Sequence, residues 1–208
     1  MDAADILQTL ADALPAAALV PGASADMPVI YVQRDQLIEV CRTLRDHPAL
    51  QFALLSDVTA ADYHPAIPRF EIVYHLACLG AAYAVGEPAP ARRLRLKVRL
   101  AGADDVHVPT LVGIYPVANW LEREVFDLFG VVFDGHPDLR RLLTPEDWEG
   151  HPLRKDYPVQ IRKDAQSLSP LQVTAEEFAR NIRDQRDRNE FGPESKRPGS
   201  TSPAGGTT

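Results

Sequence analysis

The segment 116–129 constrains the fold most, because its apolar residues lie on two sides of one helix. Pro116 suits the first turn of a helix, and Gly130 suits its C-terminal cap. At helical spacing, one apolar stripe is formed by Val117, Leu121, Val125 and Leu128. Phe126 and Phe129 lie nearly opposite this stripe. A surface helix is polar opposite its core stripe, so this helix is expected to be buried on two sides, one against its own sheet and one against something else.

A narrow polar strip separates the two apolar sides of this helix. Arg123 and Asp127 share the strip and are predicted to pair, because side chains four residues apart on a helix are neighbours. The narrowness of the strip agrees with burial on both sides.

Two acids of the helix, Glu122 and Glu124, lie in largely apolar sectors, where a carboxylate normally has a cationic or backbone partner. Arg140 and Arg141 are the candidate partners nearby in the sequence. This pairing would form an internal ion-pair network that fixes the loop after the helix; direct pairing to a partner protein is the alternative. At i and i+2 the two acids point in different directions, which argues against a shared acid–base role.

Four strands are predicted before this helix, at 29–32, 51–58, 70–79 and 92–100. The last alternates cleanly, with Leu94, Leu96, Val98 and Leu100 on one face and Arg93, Arg95, Lys97 and Arg99 on the other. Short links between the strands favour antiparallel pairing, so the predicted fold class is α+β, with one mainly antiparallel sheet and few helices. The basic face is either a solvated face or a docking surface for an acidic partner.

The chain divides into four predicted segments: an N-terminal helix and linker over 1–27, an α+β core domain over 28–130, an extended partner-binding arm over 131–158, and a C-terminal tail over 159–208. Within them, further helices are predicted at 4–14, 35–45 (capped by Asp35) and 174–189. The tail is rich in Gly, Pro, Ser and Thr, which predicts disorder from about residue 192.

The arm over 131–158 has many prolines and little periodicity, yet its apolar content argues against disorder. Five of its residues are large and apolar or aromatic: Leu142, Leu143, Trp148, Leu153 and Tyr157. Aromatic residues and arginines are enriched at interface hot spots. The composition therefore favours an arm that clasps another protein and becomes ordered mainly on assembly with it.

Composition excludes several classes of function. A net charge of −7 argues against nucleic-acid binding, and no apolar run approaches the ~20 residues of a membrane span. Any membrane link must therefore come through partners. Cys41 and Cys78 are too few to ligate an iron–sulfur cluster alone and are predicted to be buried, reduced thiols.

Metal and nucleotide sites are weakly indicated. His75-x-x-Cys78 has metal-like spacing for a helix, but in a strand the two side chains point to opposite faces. His136 and His151 each precede a proline in separate loops, where turn and hydrogen-bonding roles are commoner than ligation. The chain has no GxGxxG motif and no Walker-type loop.

The stretch 122–143 reads EREVFDLFGVVFDGHPDLRRLL, and EDWEGHPLRKDYP follows at 146–158. This long pattern of acids, arginines, aromatics, glycines and histidines resembles the 30 kDa subunit family of respiratory complex I (NADH-quinone oxidoreductase). The family-signature and partner-contact residues that the resemblance implies are Glu122, Arg123, Glu124, Phe126, Asp127, Phe129, Gly130, Gly135, His136, Pro137, Arg140, Arg141, Trp148, His151, Arg154, Lys155, Asp156 and Tyr157.

The resemblance implies a noncatalytic accessory subunit in the hydrophilic arm of a proton-pumping NADH:quinone oxidoreductase, docked on the large subunit that houses part of the quinone site and on neighbouring hydrophilic-arm subunits. It implies no cofactor in this chain, with FMN, iron–sulfur clusters, NADH and quinone held by other subunits. It also implies a peripheral position on the cytoplasmic side of a bacterial cell membrane. Two alternatives stay open: the equivalent subunit of a complex fed by ferredoxin, F420H2 or formate, and a stand-alone assembly or binding module.

Overall fold

The computed structural model describes residues 3–80, 91–102 and 105–158, together with Glu176, Arg180, Ile182 and Arg183. The chain forms two compact units, Met1–Val159 and Gln160–Thr208. In the second unit the four described residues are helical and fall inside the helix predicted at 174–189. The remainder of that helix, and the tail expected to be disordered from about 192, lie outside the described residues.

Five strands form the main sheet of the first unit, in the order β1-β2-β5-β4-β3. Their bounds are β1 Val20–Gly22, β2 Val29–Tyr31, β3 Leu54–Asp62, β4 Phe70–Cys78 and β5 Arg92–Leu100. All neighbours are antiparallel except β2 and β5, which run parallel. The α+β class with a mainly antiparallel sheet is therefore confirmed. A separate parallel pair, β6 (His107–Pro109) and β7 (Val132–Asp134), was not predicted.

Three helices accompany the sheet in the described part of this unit: α1 (Ala3–Ala13), α2 (Leu37–Asp46) and α3 (Ala118–Phe129). The predicted apolar face of β5 is fully confirmed, since its four leucine and valine side chains are at most 2% exposed. Buried residues of α1 and α2 complete the same core: Ile6, Leu10, Leu37, Val40, Cys41 and Leu44. Neither Cys41 nor Cys78 forms a disulfide, and both are buried as predicted.

Two of the differences between predicted and observed boundaries have a clear cause in the backbone. The strand expected at 51–58 begins only at Leu54, because Gln51 adopts a left-handed φ of 53° and Phe52 N–H bonds back to Leu44. Asp35, predicted to cap α2, lies instead within a 3₁₀ turn, Arg34–Gln36. In both places the chain uses tight backbone turns that hydrophobic periodicity does not report.

No helix among the described residues has both the length and the apolar character needed to cross a membrane.

Candidate functional site

Helix α3 faces the core with a stripe that differs from the predicted one. Ala118, Glu122, Val125 and Phe129 are all at most 7% exposed, whereas Val117 is 45% exposed. The expectation that Phe129 faces a partner is therefore wrong, since it belongs to the hydrophobic core. Phe126 is half-buried and packs edge-on against the His151 ring, with centroids 6.1 Å apart. The side of α3 that carries Phe126 is therefore covered by the arm of the same chain, at His151.

Glu122 is a fully buried acid bound by neutral donors. Its carboxylate accepts hydrogen bonds from Thr110 Oγ1 at 2.5 Å and from Leu111 N–H at 2.7 Å. Burial raises the pKa of Glu122 to about 7, although both hydrogen bonds oppose the rise. The prediction that Arg140 or Arg141 pairs with it is wrong. Thr110 was missed because it follows β6, a strand too short to leave a periodic signal.

Asp127 is the second buried acid of α3, and it faces the arm, residues 131–158. The N–H groups of residues 142–144 donate to Asp127 Oδ2 over 3.0, 2.7 and 2.8 Å. Arg141 Nη1 lies 2.9 Å from Oδ1, which also accepts a hydrogen bond from the Thr144 hydroxyl. The predicted Asp127–Arg123 pair is thus replaced by what we call the Asp127 cluster: Asp127, Arg141 and residues 142–144.

The Asp127 cluster favours the ionised carboxylate. Burial alone would raise the pKa of Asp127, but the hydrogen bonds from Thr144, Leu143 and Arg141 hold this pKa well below its usual range. The carboxylate side chain is 0% exposed and the Arg141 side chain 18%. The charge pair therefore lies where water screens it poorly.

Two arginines of the signature, Arg141 and Arg123, add further hydrogen bonds that hold the arm on α3. Arg141 Nη2 donates to the carbonyls of Trp148 and Gly150, at 2.8 and 3.0 Å. Arg123 donates to the carbonyls of Arg140 and Arg141, both at 3.1 Å. A planar guanidinium offers five donors in fixed directions, so one arginine can hydrogen-bond to several turns of an irregular segment.

The C-terminal end of α3 is capped by the arm. A helix leaves its last carbonyls without intrahelical partners. Here Asp127 O accepts from His151 Nδ1 at 2.9 Å, Leu128 O from Leu153 N–H at 3.0 Å and Phe129 O from Arg154 Nε at 2.6 Å. Gly130 has φ 73°, and a Cβ there would come within 2.5 Å of Arg154 and His151. Glycine therefore allows both the turn and the close approach of the arm.

The end of the arm is joined to the β3–β4 hairpin. Asp62, at the end of β3, pairs with Arg69 and accepts a hydrogen bond from Lys155 N–H at 2.8 Å. Arg69 also pairs with Asp156 at 2.8 Å. Burial would raise the pKa of Asp62, but Arg69 and the backbone donors lower it to about 2. Sequence reasoning missed Asp62 and Arg69, whose partners in the arm, Lys155 and Asp156, are remote in the chain.

The other predicted site residues have local roles or are exposed. His136 Nε2 lies 3.1 Å from Asn119 O, and Tyr157 OH donates to Glu149 O. Glu124 and Trp148 are half-buried, and Gly135, Pro137, Arg140, Lys155 and Asp156 are exposed. Over the described residues, no group of three or more histidine, cysteine, aspartate or glutamate side chains is placed to hold a metal ion.

Four large apolar side chains remain exposed on the residue that precedes α3, on α3 itself and on the arm, and we call them the apolar docking set: Val117, Trp120, Leu143 and Leu153, at 45%, 60%, 63% and 49%. Trp120 also stacks with the Arg123 guanidinium, 5.1 Å from its ring centroid. Exposed large apolar groups beside ordered aromatics are typical of protein interfaces. The arrangement is thus suited to binding a protein, while the buried charges hold its shape.

Comparison with known proteins assigns the chain that carries this site to a family. Residues 30–163 match the family described as "Respiratory-chain NADH dehydrogenase, 30 Kd subunit". Among similar proteins, a subunit of NADH-quinone oxidoreductase from Saccharopolyspora erythraea is 52% identical over 62% of this chain and 48% of its own length. The protein of the same name from Roseiflexus sp. is 44% identical over 76% of this chain and 86% of its own.

Two solved structures share the fold. A trypsin-resistant fragment (1–134) of Nqo5 is 28% identical, with a TM-score of 0.50, and the match covers 66% of this chain and 99% of the fragment. A chain of the archaeal membrane-bound sulfane sulfur reductase is 24% identical, with a TM-score of 0.59 over 83% of this chain and 96% of its own. With more than half of its length matched, this chain belongs to the family of the 30 Kd subunit of respiratory-chain NADH dehydrogenase.

Proposed function

We propose that this chain is a noncatalytic accessory subunit in the hydrophilic arm of a proton-translocating NADH:quinone oxidoreductase, docked on the large quinone-site subunit of that complex. The observation that carries this proposal is the surface built by α3 and the arm. The charged groups of the Asp127 cluster pair with each other inside the chain, while the apolar docking set stays exposed. Such a surface offers a partner pre-ordered apolar contacts at a low entropy cost.

The signature residues act in this proposal as supports of the surface. Glu122 and Asp127 are buried within their own chain and bound by fixed donors, so neither reaches a substrate in a partner's site. His136 and His151 are both held on backbone carbonyls. We assign FMN, iron–sulfur clusters, NADH and quinone to other subunits of the complex. Residues 28–130 would form most of the core that supports the partner-binding arm, and α1 and β1 from the segment expected to be only a helix and linker also contribute to it.

The proposed place of the chain is peripheral, on the cytoplasmic side of a bacterial cell membrane, with membrane contact only through partner subunits. The family match and the NADH-quinone oxidoreductase names of its relatives support this place.

Native purification tests the proposal. A tagged chain extracted with mild detergent from the membranes of its own host should bring down flavin, iron–sulfur proteins and NADH:quinone activity. A complex active with formate, F420H2 or ferredoxin instead of NADH would assign the chain to a related machine. Recovery of the chain without any redox protein would contradict the accessory-subunit proposal.

Substitution of the exposed surface locates the docking face. Trp120→Ser and Leu143→Ser should each lower the amount of complex recovered per cell, because both remove apolar contact area from the interface. Val20→Ser is the matched control, since Val20 is 56% exposed but belongs to β1. Equal recovery for all three variants would place the docking face elsewhere.

A further inference from the structure

The face of the sheet opposite the hydrophobic core carries a cleft of about 380 Å³. It lies between β2, β5, β4 and the loop that joins β3 to β4. Its lining includes Tyr31, Tyr63, Ile67, Glu71, Lys97 and Arg99. None of them belongs to α3 or the arm, so this cleft is separate from the surface assigned above.

The cleft holds more positive than negative charge. Lys97 Nζ lies 2.5 Å from Glu71 Oε1, and Arg99 Nε lies 3.4 Å from Glu71 Oε2. One carboxylate therefore serves two cations, which leaves a local excess of one positive charge on a chain whose net charge is −7. A local charge of sign opposite to the whole molecule favours an acidic partner at this place.

Arg99 is held in a position to bind a carboxylate. Its guanidinium carbon lies 3.9 Å from the centroid of the Tyr31 ring, and its side chain is 52% exposed. Stacking on an aromatic ring fixes the plane of the guanidinium, and about half of the side chain stays open to solvent. A guanidinium fixed in this way forms bidentate hydrogen bonds to a carboxylate with little further loss of side-chain entropy.

An apolar wall stands beside these cations. Ile67 is 83% exposed, the highest value among the exposed large apolar side chains of the described residues, and Tyr63 is 49% exposed. Pro68 and Ala66 continue the wall. A partner segment would therefore bind most tightly if it carried an apolar side chain next to its acidic residue.

We propose that this cleft is a second docking site, which takes an acidic segment of a partner protein. An aspartate or glutamate of that segment binds Arg99, and a neighbouring apolar side chain packs against Ile67. The proposal goes beyond the function assigned above because it concerns a different face and a different contact chemistry. A protein with two such faces joins two partners instead of covering one.

Photocrosslinking in the native assembly tests this inference. Position 67 receives p-benzoylphenylalanine in the full chain, and a second strain carries it at position 143 as a probe of the docking face proposed above. After irradiation of cells and purification, mass spectrometry identifies the adducts. At position 67 we expect an adduct to a protein segment with an aspartate or glutamate within about three residues of the crosslink, the reach of adjacent side chains along an extended strand.

Charge reversal provides the specificity control. Arg99→Glu should lower the yield of the position-67 adduct about tenfold, because it turns a charge pair into a repulsion. Arg93→Glu is the matched control: Arg93 lies exposed on the same face of β5, outside the cleft, and should change the yield less than about twofold.

Each remaining outcome counts against the inference. A lipid adduct, an adduct to a segment without acids, or equal effects of the two reversals would overturn it. An adduct at position 143 with none at position 67 would overturn it and leave the proposed docking face intact. Absence of adducts at both positions would overturn both proposals.

Discussion

At the residue scale, two acids of one helix have opposite protonation behaviour although only five positions separate them. Glu122 faces the core and is bound by neutral donors, so burial dominates and raises its pKa to about 7. Asp127 faces the arm, where three N–H groups and Arg141 stabilise its charge. The difference arises from the donors around each carboxylate, since both side chains are fully buried.

The first prediction concerns Asp127. Asp127→Asn should lower the free energy of unfolding of the full chain by about 3–5 kcal/mol, because it leaves Arg141 as an unpaired, poorly hydrated charge. Urea denaturation followed by circular dichroism measures the loss. Asp138→Asn is the control, since Asp138 is half exposed in its surface pair with Arg140 and should change stability by less than about 1 kcal/mol. Comparable losses for both variants would mean that the Asp127 cluster does not stabilise the fold.

The second prediction is that the stability of the fold depends on pH because Glu122 titrates. Its pKa is 4.5 in the reference state and about 7 in the fold, so between these values the folded chain binds the proton more tightly than the unfolded chain. Its contribution to stability should therefore fall as pH rises from about 4.5 to about 7, by up to about 3 kcal/mol.

Glu122→Gln isolates this contribution, because glutamine resembles the neutral acid and does not titrate. Urea unfolding at pH 5, 6, 7 and 8 should show wild type losing stability relative to the variant as pH rises. A difference that stays constant, or that grows in favour of wild type, would mean that Glu122 is ionised in the fold with a partner we have not identified.

At the element scale, the C-terminal end of α3 was predicted correctly, but the helix begins at Ala118 and not at Pro116, and its rotation differs from the prediction. Its end at Phe129 and the left-handed Gly130 followed from standard capping signals. Two apolar sides make the inward side ambiguous in the sequence. The inward side carries Glu122, whose donors Thr110 and Leu111 belong to the loop between β6 and α3, and hydrophobic periodicity does not report such a contact. For the same reason the sequence did not predict the partners of Arg123, Arg141 and Asp62. The alternation of apolar and basic residues in β5, in contrast, was sufficient to assign the buried face of that strand.

The third prediction concerns the junction between α3 and the arm. Gly130 and Gly135 both have positive φ, but a Cβ at Gly130 would lie 2.5 Å from Arg154 and His151, whereas one at Gly135 meets only Thr110 Cγ2 at 3.5 Å. Gly130→Ala should therefore destabilise the chain by at least about 1 kcal/mol more than Gly135→Ala, which carries the backbone strain alone. Urea unfolding of both variants measures the difference. Equal losses would show that backbone conformation, and not the contact with the arm, requires glycine at position 130.

At the scale of the whole molecule, the first unit is a sheet domain whose own arm completes its outer surface. The sequence favoured an arm that clasps a partner and orders on assembly. The contacts favour a different order of events, in which the arm is ordered on its own α3 and a partner then binds the finished surface. Prior order of this kind lowers the entropy cost of association.

Hydrogen exchange on the isolated full chain tests this prior order most directly, at the amides of Leu142, Leu143 and Thr144. These three N–H groups donate to Asp127, so we predict exchange slowed at least about a hundredfold relative to an unstructured peptide, with the protection lost in Asp127→Asn. Exchange at the unstructured rate in the wild-type chain, with protection appearing only in the assembled complex, would contradict it.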